Sequence, residues 1–302
     1  MKILLSIATV PPRFQEAITE TLDSLSSVPL HKIVLIPKHY KKWGPAQVPA
    51  ALLARTDVEI VTPQRDYGPA TKLLGAIEYV RAHPTYTHII TFDDDINYTH
   101  PLELIKRFKF FASKRPNEVL TIGGIKLVRP PYAHRNGLKV HNVGYVDMVA
   151  GCLGTLYPFA TVDNDLFFNA SQHLPEGTFN DDDLYFGIVL SMLKIPIYSI
   201  STIKTVVPGA RIPYTNVKAN PDSAVQFGAD LHRVINQMQI IQYAVGRGWL
   251  PNPFSRVTQR DRVAVMIDKS HVIAKIISFL YPLKIIATKR FCELVWRWRE
   301  KI

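Results

Sequence analysis

Short apolar runs alternate with helix-like stripes over the first 120 residues of the chain. The runs at Lys2–Thr9, Ile33–Ile36, Val58–Val61 and His88–Phe92 have the length and composition of buried strands. Pro69–His83 carries its apolar residues in one stripe and has a proline at its first helical position. Strands that alternate with helices predict an α/β fold, with a mostly parallel, Rossmann-like sheet flanked by helices.

In such a sheet, ligands bind beyond the carboxyl ends of the strands. We therefore expect the functional site in the loops after Ala8, Val61 and Phe92. Further along, glycine and proline pairs break up Gly123–Val146 and predict hairpins or an irregular insertion, whereas Asp182–Leu193 has helical spacing. The remaining predicted elements are a strand at Ile195–Ile200 and a helix at Asp222–Gly246.

The composition suits one large core, since 47% of the 302 residues are hydrophobic. We expect one α/β domain over residues 1–245 and a basic, helical extension over residues 246–302. The apolar N-terminus ends at Pro11-Pro12 without a small-residue cleavage site, so it is interpreted as a first strand rather than a signal peptide. Cys152 and Cys292 form no disulfide framework, which favours a reducing compartment such as the cytoplasm.

The strand at His88–Phe92 delivers three consecutive carboxylates, Asp93, Asp94 and Asp95, to its carboxyl end. Like charges so close repel one another, and Mg²⁺ or Mn²⁺ is the oxygen-seeking cation that relieves the repulsion. Such an ion, shared between carboxylates and a diphosphate, offsets charge on a departing phosphate. A solvated acidic turn, or an N-cap for a helix after Pro101, is the alternative.

A second signal runs from Asp66 to Lys72, between a predicted strand and a predicted helix. Gly68 permits a tight turn, the helix N-terminus offers free N–H groups, and Lys72 adds a positive charge one turn in. These features suit a nucleotide diphosphate. An ordinary proline-started helix with a solvent-exposed lysine has the same pattern.

A second acidic triplet, Asp181–Asp183, opens a predicted helix about ninety residues after the first triplet. Aspartate is favoured there for capping and dipole reasons alone. A carboxylate near the metal site would also serve as a general base, taking the proton from an acceptor hydroxyl as it attacks the anomeric carbon of a sugar.

Taken in order over residues 2–245, these signals resemble the GT-A glycosyltransferases, in particular their family-2-like inverting members. The resemblance implies a nucleotide-sugar donor, by family analogy a UDP-hexose, and a glycan or glycolipid hydroxyl as acceptor. It also matches Asp93–Asp95 to the family's Asp-x-Asp element. Asp95 would then bind the metal, Asp93 would contact the metal or the ribose, and Asp94 would lie in the nucleotide-sugar site.

The same resemblance covers three further segments. Ser6–Arg13 resembles the opening strand and the first nucleotide-contacting loop. Asp66–Lys72 resembles the segment that holds the base and ribose, and Val146–Tyr157 the segment under the donor sugar and acceptor. The nucleotide-sugar-binding residues carried over from these segments are Thr9, Pro11, Arg13, Asp66, Gly68, Lys72 and Gly151.

By this match, Asp182 and Asp183 stand where the family usually has Glu-Asp, the second being the general base. We predict Asp183 as the base and keep Asp182 as the alternative, because three aspartates in a row leave the register open by one. The family often has glycine eleven or twelve positions on, where this chain has Lys194 or Ile195. Many GT-A enzymes also place a late histidine on the metal, and His232 is the candidate here.

Net charge is +11, and the segment from Pro251 to Ile302 holds eleven Lys or Arg against four Asp or Glu. Within it, Val272–Trp298 interleaves apolar and basic residues, with no uncharged stretch long enough to span a membrane. This pattern favours an anionic membrane surface, so we expect peripheral attachment to the inner face of the cell membrane. Packing on the catalytic domain and an oligomer contact are the alternatives. Nucleic acid is not expected, since no groove-reading motif is visible.

Three other functions compete with a metal-dependent hexosyltransferase. A sugar-nucleotide nucleotidyltransferase usually has a glycine-rich basic loop after its first strand, and only Arg13 is present here. A phosphatase with Asp93 as nucleophile and Asp95 as acid would need a small residue and threonine next, which Ile96-Asn97 does not supply. A non-catalytic, membrane-docked carbohydrate-binding protein is disfavoured by the intact carboxylates.

Overall fold

A computed structural model of the chain describes residues 1–127, 137–140, 143–173, 181–200, 214–216, 240–241, 243–246 and 249. The strands in these ranges are β1 (Ile3–Ala8), β2 (His31–Leu35), β3 (His39–Tyr40), β4 (Gly44–Pro45), β5 (Glu59–Val61), β6 (His88–Phe92), β7 (Ile96–Tyr98), β8 (Val119–Thr121), β9 (Gly124–Leu127), β10 (Gly137–Val140), β11 (Gly144–Val146), β12 (Met148–Val149), β13 (Thr155–Pro158), β14 (Ile197–Ser199) and β15 (Tyr214–Asn216). The helices are α1 (Ala17–Ser24), α2 (Ala50–Leu53), α3 (Thr71–Ala82), α4 (Pro101–Lys114), α5 (Phe159–Val162), α6 (Asp165–His173) and α7 (Asp182–Met192). Short 3₁₀ turns occupy Pro11–Arg13, Gly68–Ala70 and Gly151–Leu153.

Eight strands form the main sheet, in the order β11-β14-β8-β13-β6-β1-β2-β5. The strands β6, β1, β2 and β5 run parallel to one another, and β8 runs parallel to β14. By contrast, β13 and β11 are antiparallel to their neighbours. Three smaller sheets pair β10-β9-β12, β15-β7 and β3-β4. A mostly parallel sheet flanked by helices confirms the predicted α/β fold class.

The central strand β1 lies between β6 and β2, and it is buried on both faces because helices cover each side of the sheet. Ile3, Leu5 and Ile7 pack into the layer that contains the apolar stripes of α1 and α4. Leu4 faces the opposite layer, which contains the stripes of α3 and α7. Burial on both faces explains why this strand is a continuous apolar run instead of an alternating pattern.

The predicted elements that fall on described residues agree with the structure, with shifts of one or two residues at their ends. Within Pro69–His83 the α-helix begins at Thr71, because the 3₁₀ turn over Gly68–Ala70 precedes it; Gly68 has a φ of 61°, in the left-handed region. The hairpins predicted within Gly123–Val146 are confirmed where β10 pairs antiparallel with β9. After α7, Lys194 has a φ of 58°, in the left-handed region that favours glycine.

The chain separates into one unit over Met1–Arg256 and a second over Val257–Ile302. The second unit lies outside the described residues, as do His232 and most of the predicted helix at Asp222–Gly246. The domain boundary at residue 245 and the membrane-binding extension therefore stay predictions. In the described part of the chain, no helix has the length and apolarity needed to cross a membrane.

Candidate functional site

The strands of the central sheet end together at one edge. Ile7 pairs with Phe92, Ala8 with Leu35, and Leu35 with Val61, so β1, β6, β2 and β5 finish at nearly the same level. The loops that follow these strands leave from this edge, as predicted. The charged residues of the sequence motifs meet there.

Arg13 reaches the turn after β6 from the 3₁₀ turn that follows β1. Its Nη1 lies 2.5 Å from Asp94 Oδ1, and its Nη2 lies 3.2 Å from Asp95 Oδ2. The Asp94 side chain is only 4% exposed, whereas that of Asp95 is 22% exposed. Arg13 is thus the counter-ion of two of the three aspartates, a role that the sequence does not indicate.

Lys72 is a second cation at this edge, in the first turn of α3. Its Nζ lies 2.7 Å from Asp93 Oδ1 and 3.0 Å from Asp182 Oδ2, and 9% of its side chain is exposed. Burial alone would lower the pKa of Lys72, but the surrounding carboxylates raise it well above its ordinary value, so it stays charged. Its main-chain carbonyl accepts a hydrogen bond of 2.7 Å from the buried Ser6 hydroxyl. The alternative of a solvent-exposed lysine is therefore wrong.

Asp182 and Asp183 both lie in the first turn of α7, but they have different partners. Asp182 is buried against Lys72. Asp183 accepts the Gly151 N–H, at 3.1 Å to Oδ1 and 3.3 Å to Oδ2. Burial, and next the charge of Asp182, raises the pKa of Asp183 well above its ordinary value. Asp183 is therefore a carboxylate with a raised proton affinity beside the predicted donor-sugar segment.

Tyr98, in β7, connects these segments, and the sequence does not single it out. Its hydroxyl accepts the Asp93 N–H at 3.3 Å and donates to the Cys152 carbonyl at 3.0 Å. Its ring packs on Phe92, with ring centroids 4.4 Å apart. The only signal in the sequence is an aromatic residue shortly after the acidic triplet, which is equally typical of a core position.

The other residues predicted to contact the nucleotide have surroundings that do not by themselves indicate a nucleotide site. Asp66 accepts the N–H groups of Gly68 at 2.8 Å and Lys41 at 2.9 Å, so it holds the turn before α3. Thr9 is buried, and its hydroxyl finds no hydrogen-bond partner within the described ranges. Pro11 lines an open groove of about 680 Å³. A nucleotide role for these residues stays a prediction.

The cluster holds more negative than positive charge, which bears on the predicted metal. Its carboxylates are Asp93, Asp94, Asp95, Asp182 and Asp183, and its cations are Arg13 and Lys72. The buried Asp94 Oδ2 has no hydrogen-bond partner among the residues the structure describes. Burial, followed by the charges of its two neighbouring aspartates, raises the pKa of Asp95 to about 6. Excess negative charge and an unpartnered buried oxygen fit a divalent cation.

No group of three His, Cys, Asp or Glu side chains in the described ranges forms a ready-made metal cage. Mg²⁺ usually binds one or two carboxylates together with substrate phosphates, and such sites need no cage. Asp95 and Asp93 are the carboxylates that would hold the ion here.

Neither a protein-family model nor a curated protein matches the chain. Among solved structures it is similar to S. aureus TarS 1–349 in complex with UDP-GlcNAc, with 13% identity and a TM-score of 0.49 over 95% of this chain and 77% of that one. It is also similar to CMP:2-keto-3-deoxy-manno-octonic acid synthetase complexed with CTP, with 12% identity and a TM-score of 0.41 over 70% of this chain and 94% of that one.

Proposed function

We propose that this protein is a metal-dependent glycosyltransferase that moves a hexose from a nucleotide sugar, by family analogy a UDP-sugar, to a hydroxyl of a glycan or glycolipid. The observation that carries the proposal is the meeting of Asp93–Asp95, Lys72 and Asp183 at the carboxyl edge of the sheet. An acidic turn suits a metal-bound diphosphate, a buried lysine suits its phosphate oxygens, and a separate carboxylate suits proton removal.

Two groups of residues would bind the donor diphosphate. Asp95 and Asp93 would hold Mn²⁺ or Mg²⁺, which when bound offsets the charge that builds on the leaving diphosphate. His232, outside the described residues, is proposed as a further ligand by family analogy. Lys72 adds a fixed positive charge in the first turn of α3, where the helix dipole also favours an anion.

Asp183 would act as the general base. It takes the proton of the acceptor hydroxyl as that oxygen bonds to the anomeric carbon and the bond from that carbon to the diphosphate oxygen breaks. Its raised pKa makes it a stronger base than an ordinary aspartate. Asp182 is held by Lys72 at 3.0 Å, which favours Asp183 over it. A single base on one side suits one displacement with inversion at the anomeric carbon.

The proposal is tested by incubating the protein with a panel of nucleotide sugars and measuring nucleotide release, with Mn²⁺, with Mg²⁺ and with EDTA. We expect release of UDP from at least one UDP-hexose, lost in EDTA and restored by Mn²⁺. Full turnover in EDTA would contradict the metal assignment. Pyrophosphate release from a nucleoside triphosphate and a sugar phosphate would instead support the nucleotidyltransferase alternative.

Metal binding is expected to weaken in acid. Because the raised pKa of Asp95 is about 6, a proton competes with the cation for this carboxylate below that pH. The apparent affinity for Mn²⁺ in the presence of UDP should therefore be about tenfold lower at pH 5 than at pH 7.5. Calorimetric titration at the two pH values measures the ratio. Equal affinities would mean that Asp95 is not a ligand.

Gly151→Ala is expected to lower kcat by about a hundredfold, as does a displacement of catalytic groups by about 1 Å. A Cβ at this position would lie 2.6 Å from Asp183 Oδ1 and 3.2 Å from Lys72 Nζ, so both side chains must move. Steady-state kinetics at saturating donor measure the effect. Gly44→Ala is the control for backbone strain alone, because Gly44 has a φ of 74° and its added Cβ meets nothing within 4 Å; it should lower stability and leave kcat unchanged. A wild-type kcat in Gly151→Ala would show that the positions of the Asp183 and Lys72 side chains do not affect the catalytic step.

Cellular placement is also part of the proposal. The basic, apolar composition of residues 246–302 supports peripheral attachment to an anionic membrane surface on the cytoplasmic side, where a glycolipid acceptor would be within reach. The proposal includes no nucleic-acid partner.

A further inference from the structure

The Arg13 guanidinium lies where a divalent cation would compete with it. It contacts Asp94 Oδ1 at 2.5 Å and Asp95 Oδ2 at 3.2 Å, and Asp95 is the carboxylate proposed to bind the metal. The Arg13 side chain is 14% exposed, so its charge is poorly screened by solvent. A cation that binds Asp95 must therefore displace or repel Arg13.

The same side chain is suited to binding phosphate. Guanidinium presents five N–H donors in a planar fork that matches phosphate oxygens in pairs. Arg13 Nε is buried and has no hydrogen-bond partner in the described part of the chain. Lys72 is placed differently, because its ammonium contacts Asp93 and Asp182. Both cations can bind phosphate, but Arg13 is the one that contacts Asp95.

We propose that Arg13 couples the binding of the divalent cation to that of the nucleotide diphosphate. This inference rests on the proposed function and goes beyond it. Without ligands, Arg13 offsets part of the negative charge of Asp94 and Asp95 and weakens binding of the cation alone. A diphosphate offers Arg13 a second anion, so its arrival frees the carboxylates, and the cation in turn releases Arg13 for the phosphate. By linkage, each ligand raises the affinity for the other by the same factor.

The test measures Mn²⁺ binding from the electron paramagnetic resonance signal of the free ion, with and without saturating UDP and corrected for the Mn²⁺–UDP complex in solution. In the wild-type protein we expect UDP to tighten Mn²⁺ binding by about tenfold or more, within the usual range of coupling factors. In Arg13→Gln, Mn²⁺ alone should bind about fivefold more tightly than in the wild type, and the coupling factor should fall by a similar amount. Direct contact between the ion and phosphate keeps the remaining coupling above unity.

Tighter Mn²⁺ binding in Arg13→Gln is the decisive result, because general damage to the site would weaken Mn²⁺ binding. Arg81→Gln is the matched control: Arg81 also bridges two aspartates, Asp163 at 2.7 Å and Asp165 at 3.0 Å, but lies at the opposite end of α3. Arg81→Gln should have the Mn²⁺ affinity and the UDP coupling factor of the wild type. Circular dichroism checks that each variant is folded.

Arg13→Lys provides a second measurement if Arg13→Gln does not fold. An ammonium keeps the charge but cannot bridge two carboxylates as a fork does, so Mn²⁺ alone should bind about twofold more tightly than in the wild type. Unchanged or weaker Mn²⁺ binding in the folded variant overturns the role of Arg13 while leaving the proposed function intact. No Mn²⁺ binding to the wild-type protein, even with UDP, overturns both.

Discussion

Asp95→Asn is expected to lower metal-dependent donor turnover by about a thousandfold, equivalent to ~4 kcal/mol of transition-state stabilisation. The amide is nearly the same size as the carboxylate but carries no charge, so it is a poor ligand for Mn²⁺ or Mg²⁺. Nucleotide release from the preferred UDP-sugar, measured across a range of Mn²⁺ concentrations, gives the loss. Turnover at the wild-type rate would show that this carboxylate does not serve the metal.

The same variant should be at least as stable as the wild type in the absence of ligands. A carboxyl whose pKa is raised in the folded state stabilises the fold when protonated, and that contribution is lost as the pH rises from about 4 to about 6. At pH 7 the ionised Asp95 therefore opposes folding, through burial and through repulsion by Asp93 and Asp94. Removing the charge should leave Tm unchanged or raise it by ~2–4 °C. Asp163→Asn is the control for a partly exposed carboxylate outside the cluster.

Asp183→Asn is expected to lower kcat by about a thousandfold, the usual loss when a general base is removed. Binding of UDP and Mn²⁺ should stay within about twofold of the wild type, because Asp183 accepts a hydrogen bond from the Gly151 N–H and is not proposed to contact either ligand. Transfer kinetics and calorimetric titration with UDP separate the two effects. Equal losses in kcat and in UDP affinity would make Asp183 a binding residue.

Two variants sharpen this assignment. Asp165 also lies in the first turn of a helix, α6, with 78% of its side chain exposed, so Asp165→Asn controls for loss of a helix-start carboxylate. Asp182→Asn removes a charge that Lys72 contacts, so it should change UDP affinity more than Asp183→Asn does. A larger loss of kcat in Asp182→Asn than in Asp183→Asn would mean that Asp182, and not Asp183, is the general base.

Much of the fold follows from hydrophobic periodicity. The strand at His88–Phe92 is predicted with its observed bounds, because the four apolar or β-branched residues after His88 end at a run of three aspartates. The position of Asp93–Asp95 at the sheet edge follows directly from the end of this strand.

The order of the strands in the sheet, by contrast, cannot be predicted from periodicity. No strand is predicted at Thr155–Pro158, and only packing decides that this segment enters the sheet antiparallel between β6 and β8.

The ion pairs of the site could not be predicted from the sequence. Arg13 and Asp94 are 81 residues apart in the chain, and nothing local to either indicates the other. The sequence identifies Lys72 as a phosphate-binding candidate, yet its two carboxylate contacts depend on how α3 and α7 pack together on one side of the sheet. Residue types near a strand end thus predict that a charged site exists, whereas its pairing is a property of the assembled fold.

The hydroxyl of Tyr98 has a consequence for how the protein unfolds. It joins the turn at Asp93 to the segment at Cys152 inside the domain, and the charged cluster adds Arg13 from the start of the chain and Asp183 from much further along. A fragment that lacks any of these segments cannot assemble the cluster. Ligands that bridge it would therefore bind only the native state and shift the cooperative unfolding transition of the whole domain, instead of protecting one loop against local opening.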